Sequence, residues 1–533
     1  MTVISETGFD IKFSLYFYIK MCQDRDFLRR KDRSMFTMFK KNLYRLFLLL
    51  LLILIVPLSA QAKDVYEYNL RNGLKIFVKV DARAPVVSSQ IWYEVGSGYE
   101  PEGLTGISHV LEHMMFQGTK RYPKGVLTQL IAVHGGVQNA MTTRDYTMYY
   151  EELPAADLAL SFKLEADRMQ YLLLNQKHFE KELEVIKEER RLRTDNNPIE
   201  LTYENFYNTA FVGTPYQHPI IGWMKDIASF KLSDVQKWYD QWYVPNNAFV
   251  VVVGDVNPIQ VYWLAKKYFG DIPAKKLPTL QKVIERKAIS NQEIIQHSRS
   301  ATPLSLYSVF KKYFNPEPVS ITQTEKSNAQ VQQMSSQEVV VKAYAKLPFI
   351  IMGYKVPVLN STNDLWQAYA LMEISAIFDA GSSSRFSKDL VRGNQVAATA
   401  GAFYPLYGRL PDAFLITGIP GAGYSIDSLK KAFLNQITKL QTTLVPQEEL
   451  ERVKTQLIAE KIFMRDSIFL QGMEIGMLES IGLSWRNADT LIQHIEEITP
   501  KQIQEVAQQY FIPQNLTMAI LKPISTADSQ QFE

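Results

Sequence analysis

The sequence predicts an α+β protein built from two similar halves joined by a linker. Runs with helical periodicity alternate with short strand-like runs on both sides of a polar central stretch. The unit "LSDVQKWYDQWYVPNNAFVVVV" also aligns without gaps on "PKQIQEVAQQYFIPQNLTMAIL", 268 residues later. Trp242 falls on Tyr510, Tyr243 on Phe511, Pro245 on Pro513 and Asn247 on Asn515. A shared aromatic pair, proline and asparagine at one offset point to an internal duplication rather than to two generic helix-strand units. Finally, the stretch from Ala288 to Gln337 is polar and reads as a linker, with a short element in "LYSVFKKYF".

The elements follow in order. "VYEYNLRNGLKIFVKVD" holds two strand-like runs around Asn72-Gly73, a hairpin signal. "PVVSSQIWYEVGSGYE" is a third strand. "GLTGISHVLEHMMFQGT" reads as a helix with Ile107, Val110, Leu111, Met114 and Met115 around most of its circumference, hence a buried one. A short helix ends at Gly135-Gly136, and an alternating strand is expected from Thr142 to Tyr150. Helices are expected over Ala155–Leu174 and about Lys177–Arg193. A helix, a Tyr-Val-Pro break, a buried strand ending at Gly254-Asp255 and one more helix close the half. The second half begins near Glu338. It has expected helices near Leu365–Ala380, Ser425–Leu440 and Gln447–Ser480, and strands near Val396–Pro405 and Ala413–Thr417.

The chain start reads as an export signal. "FKKNLYR" is basic, Leu46–Ser59 is apolar, and "AQA" at Ala60–Ala62 is a small-x-small cleavage site. The expected layout is an N-terminal extension and signal over 1–62, a first domain over 63–287, a linker over 288–337 and a second domain over 338–533. The stretch before Met35 is long and mixed in charge, so the expected start is Met35 or Met38. A periplasmic location follows. An uncleaved membrane anchor is the weaker alternative, since the apolar run is short for a span. Cys22, the single cysteine, precedes the cleavage site, which excludes disulfides and thiol chemistry in the mature chain. The formal net charge is +3 with no basic tract after the leader, so no nucleic-acid partner is expected.

Two of the seven histidines stand in "HVLEH". On a helix, residues i and i+4 share a face, so His109 and His113 can present imidazoles to one metal. Glu112 can reach a water there as general base. Zinc suits two imidazoles and a carboxylate with one position open. The order H-x-x-E-H is the inverted form of the zinc-protease motif. The third ligand should come from "FEKELEVIKEERRLR". Glu182 and Glu189 lie two turns apart and face the same way, whereas Glu188 points about 100° away. One of the pair can bind metal while the other holds a ligand histidine's second ring nitrogen. The residues alone do not choose between them. Without these partners, a polar trio in an apolar helix would be costly to bury.

These residues resemble the pitrilysin or insulinase-like metallopeptidases, in the branch with mitochondrial processing peptidase and bacterial two-subunit zinc proteases. "LRNGLKIFV", "GSGYEPEGLTGISHVLEHMMFQGT", "NAMTTRDYTMYY", "YQHPIIG" and "YVPNNAFVVVVGDV" follow the family patterns in order, over nearly the whole mature chain. The resemblance implies two homologous α/β-sandwich-like domains, each a mixed sheet covered by helices, the second non-catalytic. It implies a zinc endopeptidase of peptides or unfolded segments, with one Zn2+ on His109, His113 and Glu189. Glu112 would be the general base and Glu182 the support of a histidine. Asn139 and Ala140 match the segment that lines the cleft, where a strand edge pairs with an extended peptide.

The second half departs from the family. Where an Arg/Tyr pair often grips the substrate, this chain has Val391 and Ala398, with Arg392 one residue out of register. Their side chains donate no hydrogen bond. The expectation is therefore a heterodimer with a homologous subunit that carries the pair. A homodimer in which Arg392 or Tyr404 substitutes is the alternative assembly. A silent scaffold or peptide-binding partner subunit is the alternative function, and the intact His109, Glu112, His113 and Glu189 argue against it.

Overall fold

The computed structural model of the chain describes residues 65–278 and 337–524. The expected leader, "LYSVFKKYF" and all of the expected linker but Gln337 lie outside the described residues.

The first half opens with β1 (Tyr66–Asn69) and β2 (Lys75–Val80), paired antiparallel around Asn72-Gly73 as expected. After β3 (Val86–Tyr93) come helices α1 (Ile107–Met115) and α2 (Val126–Val133). Strands β4 (Val137–Thr142) and β5 (Thr147–Pro154) follow, then helices α3 (Leu158–Tyr171), α4 (Gln176–Arg190) and α5 (Pro198–Ala210). Short α6 (Met224–Ile227), α7 (Leu232–Trp242), β6 (Ala248–Gly254) and α8 (Pro258–Phe269) complete it. The second half runs β7 (Gln337–Tyr344), β8 (Phe349–Val356), α9 (Leu365–Asp379), β9 (Ala397–Phe403) and β10 (Asp412–Pro420). It ends with α10 (Ile426–Thr442), α11 (Gln447–Met464), α12 (Ile468–Ser480), α13 (Asn487–Glu497), α14 (Pro500–Tyr510) and β11 (Leu516–Ile524).

The two sheets have strand orders β1-β2-β6-β3-β5-β4 and β7-β11-β8-β10-β9. With β1 set aside they match strand for strand. In each, one pair is parallel, β2 with β6 and β7 with β11, and the others are antiparallel. The duplication seen in one helix-strand unit therefore extends to both sheets. The fold is α+β, as expected, and β4 and β9 are equivalent edge strands.

One face of each sheet packs on helices of its own half. Val78, Ile91 and Val250 meet Val110, Leu111, Phe162 and Ile186 in the first. Ile350, Met352 and Phe414 meet Ile374, Phe378 and Phe433 in the second. The opposite faces are covered by exchange. Met473 and Ile475 of α12 pack on Phe77, Trp92 and Phe249 of the first sheet. Phe206 and Ala210 of α5 pack on Ile351, Leu415 and Ala519 of the second. Burying each large apolar side chain contributes ~1.5–3 kcal/mol, so the two halves stabilise each other.

Two expected elements are corrected. The single strand over Thr142–Tyr150 is the end of β4, a turn and the start of β5. Thr143 Oγ1 accepts from the backbone N–H of Asp145 (3.2 Å) and Tyr146 (3.1 Å), a hydroxyl-closed turn that alternation conceals. The single helix over Gln447–Ser480 is α11 and α12, split where Ser467 caps α12 by accepting from Leu470 N (3.2 Å).

Candidate metal centre

Helix α1 starts at Gly106, where φ is +92°. A Cβ there would lie 2.4 Å from the Ile221 carbonyl oxygen, so glycine meets both the left-handed backbone and the close approach. The first turn is capped from outside. Buried Glu100 accepts from Gly106 N (2.6 Å) and Ser108 N (2.8 Å), so its carboxyl group satisfies two backbone donors at the start of the helix. Burial pushes the Glu100 carboxyl up to about 8, against the pull of these hydrogen bonds.

From this anchored helix, His109 and His113 stand with ring centroids 4.8 Å apart. Helix α4 packs alongside and supplies the carboxylates. His113 Nε2 lies 3.3 Å from Glu189 Oε2, and His109 Nε2 lies 3.8 Å from Glu189 Oε1. His113 Nδ1 lies 3.6 Å from Glu182 Oε2. So Glu189 faces the nitrogens that the two histidines share, and Glu182 stands behind His113. Glu188 is exposed and pairs with Arg191. The nearest donor atoms of His109, His113 and Glu189 all lie within 4.8 Å of one another. Two imidazoles and a carboxylate converging on one point fit a zinc ion.

The electrostatics follow from burial. Desolvation, aided by neighbouring His113, lowers the His109 pKa to about 4, so it is a neutral donor at pH 7. For His113, burial works against the charge, but Glu189, Glu112 and Glu182 outweigh it and the shift is upward. The hydrogen bond from His113 draws Glu189 down. Burial raises Glu112, the direction that makes a carboxylate a better proton acceptor.

Residues not singled out from the sequence complete the site. Thr142, the last residue of β4, donates to Glu112 Oε2 at 2.5 Å. Lys124 Nζ sits 3.3 Å from Glu182, and Arg193 Nη1 sits 2.7 Å from Glu189. Arg193 is one turn beyond Glu189, a spacing that could have flagged it. Glu100 had a signal too, as an acid just before the helix. Thr142 and Lys124 had none, because strand and loop approach the helix only in three dimensions.

Asn139 and Ala140 lie on β4, whose second edge carries no strand among the described residues. Asn139 is exposed, and its Oδ1 accepts from Ala140 N at 2.9 Å. In the second half, Val391 packs on the core and Ala398 is exposed on β9. Arg392 is turned onto the carbonyls of Ser382 and Ser387. Tyr404 is buried and gives its hydroxyl to the Pro357 carbonyl at 2.7 Å.

The fold has known counterparts. The insulinase (peptidase family M16) pattern matches residues 75–223, and that of the peptidase M16 inactive domain matches residues 229–457. The zinc protease PqqE of Helicobacter pylori is 30% identical over 469 residues, 85% of this chain and 92% of that protein. The probable mitochondrial-processing peptidase subunit beta of Arabidopsis thaliana is 27% identical over 208 residues, 39% of each chain. The crystal structure of a protease from Helicobacter pylori superposes with a TM-score of 0.72 at 28% identity, covering 86% of this chain and 99% of that one. The chain belongs to the insulinase family of peptidases, family M16.

Proposed function

We propose that the chain is a zinc-dependent endopeptidase that hydrolyses peptide bonds in peptides or unfolded protein segments. The observation that carries this is the convergence of His109, His113 and Glu189 beside a half-buried Glu112. His109, His113 and Glu189 would hold one zinc, with Glu182 orienting His113 from behind. Zinc bound there supplies the Lewis acidity that activates water and polarises a carbonyl. Glu112 then takes a proton at the carboxylate that Thr142 orients, and returns it to the leaving amine. The β4 edge at Asn139 and Ala140 holds the peptide extended by main-chain hydrogen bonds, which favours unfolded substrates.

The functional unit is proposed to be a heterodimer with a homologous subunit. Val391 and Ala398 offer no donor, Arg392 is bonded to its own segment, and the Tyr404 hydroxyl is already used. The relative named as a beta subunit agrees with such an assembly. A homodimer is the other outcome of the test. The proposed site of action is the periplasm, on the strength of the leader segment. Among the described residues no helix is long and apolar enough to cross a membrane.

Elemental analysis and cleavage of an unstructured peptide test this reading on the chain from Lys63 onward, alone and copurified from its host. One zinc per chain, with cleavage lost to a chelator and restored by zinc, is expected. Bound zinc without cleavage in either preparation contradicts an enzyme and favours a silent scaffold. Full activity of the chain alone contradicts the missing partner.

A further inference from the structure

The second half carries no metal motif, yet it reaches the machinery of the first. The point of contact is Arg409, in the loop before β10, with its side chain 3% exposed. Its Nε lies 3.3 Å from Asp145 Oδ1, and its backbone N–H donates to Asp145 Oδ2 at 3.1 Å. Its Nη2 donates to the Gly98 carbonyl at 3.0 Å, and its guanidinium lies 4.2 Å from the Tyr99 ring centroid. Tyr216 closes the cluster, donating to Asp145 Oδ2 at 2.6 Å. Next to it, Arg144 meets Asp412 of the second half at 3.5 Å.

Both segments that Arg409 grips lead to Glu112. Asp145 sits in the turn that ends β4, three residues after Thr142, the donor to Glu112. Gly98 is two residues before Glu100, the cap of the helix that carries His109, Glu112 and His113. The two segments are also tied to each other, Ser97 N to Thr143 O at 2.9 Å and Gly98 N to Arg144 O at 2.7 Å. A planar fork bridging a carboxylate and a carbonyl is a task lysine cannot reproduce. We infer that Arg409 is a positioning residue of the second half, which sets Glu112 through the Thr143–Tyr146 turn and Thr142. This rests on the proposed role of Glu112. It gives the non-catalytic half a part in the chemistry.

The test uses the zinc-loaded full chain, with its partner if activity needs one, and compares wild type, Arg409→Lys, Thr142→Val and the double variant. With Arg409→Lys, kcat on an unstructured peptide should fall about tenfold while KM changes less than about twofold, as for loss of a hydrogen bond to a charged group. Thr142→Val should show the same split, and the double variant should lose no more than the worse single variant. Hydrogen exchange over residues 137–150 should quicken in Arg409→Lys, a readout that needs no activity. Unchanged kcat, unchanged exchange in this segment, or losses that multiply in the double variant would overturn the inference. If Arg409→Lys does not fold, Asp145→Asn breaks the same pair from the other side and is judged by the same outcomes. Cleavage retained by Glu112→Gln would instead sink the role of Glu112, whatever exchange shows for the turn.

Discussion

At the scale of residues, the proposed site is a set of buried and half-buried polar groups, several of them held by a second one. Glu182 behind His113 is the clearest case. Glu182→Gln should weaken zinc binding about 10–100-fold, measured by competition with a chelator, while leaving the fold intact. A different buried carboxylate controls stability. Glu373 in α9 has both side-chain oxygens buried without a hydrogen-bond partner among the described residues, and burial raises its pKa to about 9. The folded state thus holds a proton that the unfolded chain releases near pH ~4.3. The stability it contributes is complete below that pH and is lost as pH climbs through about 9. Thermal unfolding of wild type and Glu373→Gln from pH 5 to 9 should show the variant gaining relative stability with pH, on the order of a few kcal/mol at the alkaline end. His109, Glu112 and His113 were legible in the sequence because helical spacing alone brings them together. Thr142 and Arg409 were not, because their partners are set by tertiary contacts.

At the scale of elements, close approaches decide what fits. Helix α12 meets β3 at Gly476, where a Cβ would lie 2.1 Å from the Trp92 ring. Strand β8 meets α5 at Gly353, where a Cβ would lie 2.0 Å from the Phe206 ring. Gly476→Ala should therefore cost ~1–3 kcal/mol through overpacking, read as a lower thermal midpoint. Most elements were legible from periodicity, including the hairpin at Asn72-Gly73 and helix α9. The two breaks that were missed share a cause. At Thr143 and Ser467 a hydroxyl closes the backbone, and neither residue interrupts the surrounding pattern as glycine or proline would.

At the scale of the whole molecule, duplication and exchange define the architecture. The duplication was legible because Trp242, Tyr243, Pro245 and Asn247 recur as Tyr510, Phe511, Pro513 and Asn515. The exchange was not, since nothing in the pattern of α5 or α12 says which sheet it will cover. Each half leaves a sheet face bare without the other, a large apolar surface to expose to water. Residues 63–278 and 337–533 made as separate chains should therefore copurify as a 1:1 complex when coexpressed and aggregate when made alone. Two soluble, monomeric fragments would contradict the interlocked core.

The central claim concerns Glu112, and one comparison addresses it. Wild type and Glu112→Gln, both loaded with zinc, are assayed side by side for metal content and peptide cleavage, with the partner subunit if activity needs one. The variant should bind one zinc and unfold like wild type, with cleavage lower by about 10²–10⁴-fold, the usual worth of a general base. Equal cleavage by both proteins at equal zinc content would contradict the account.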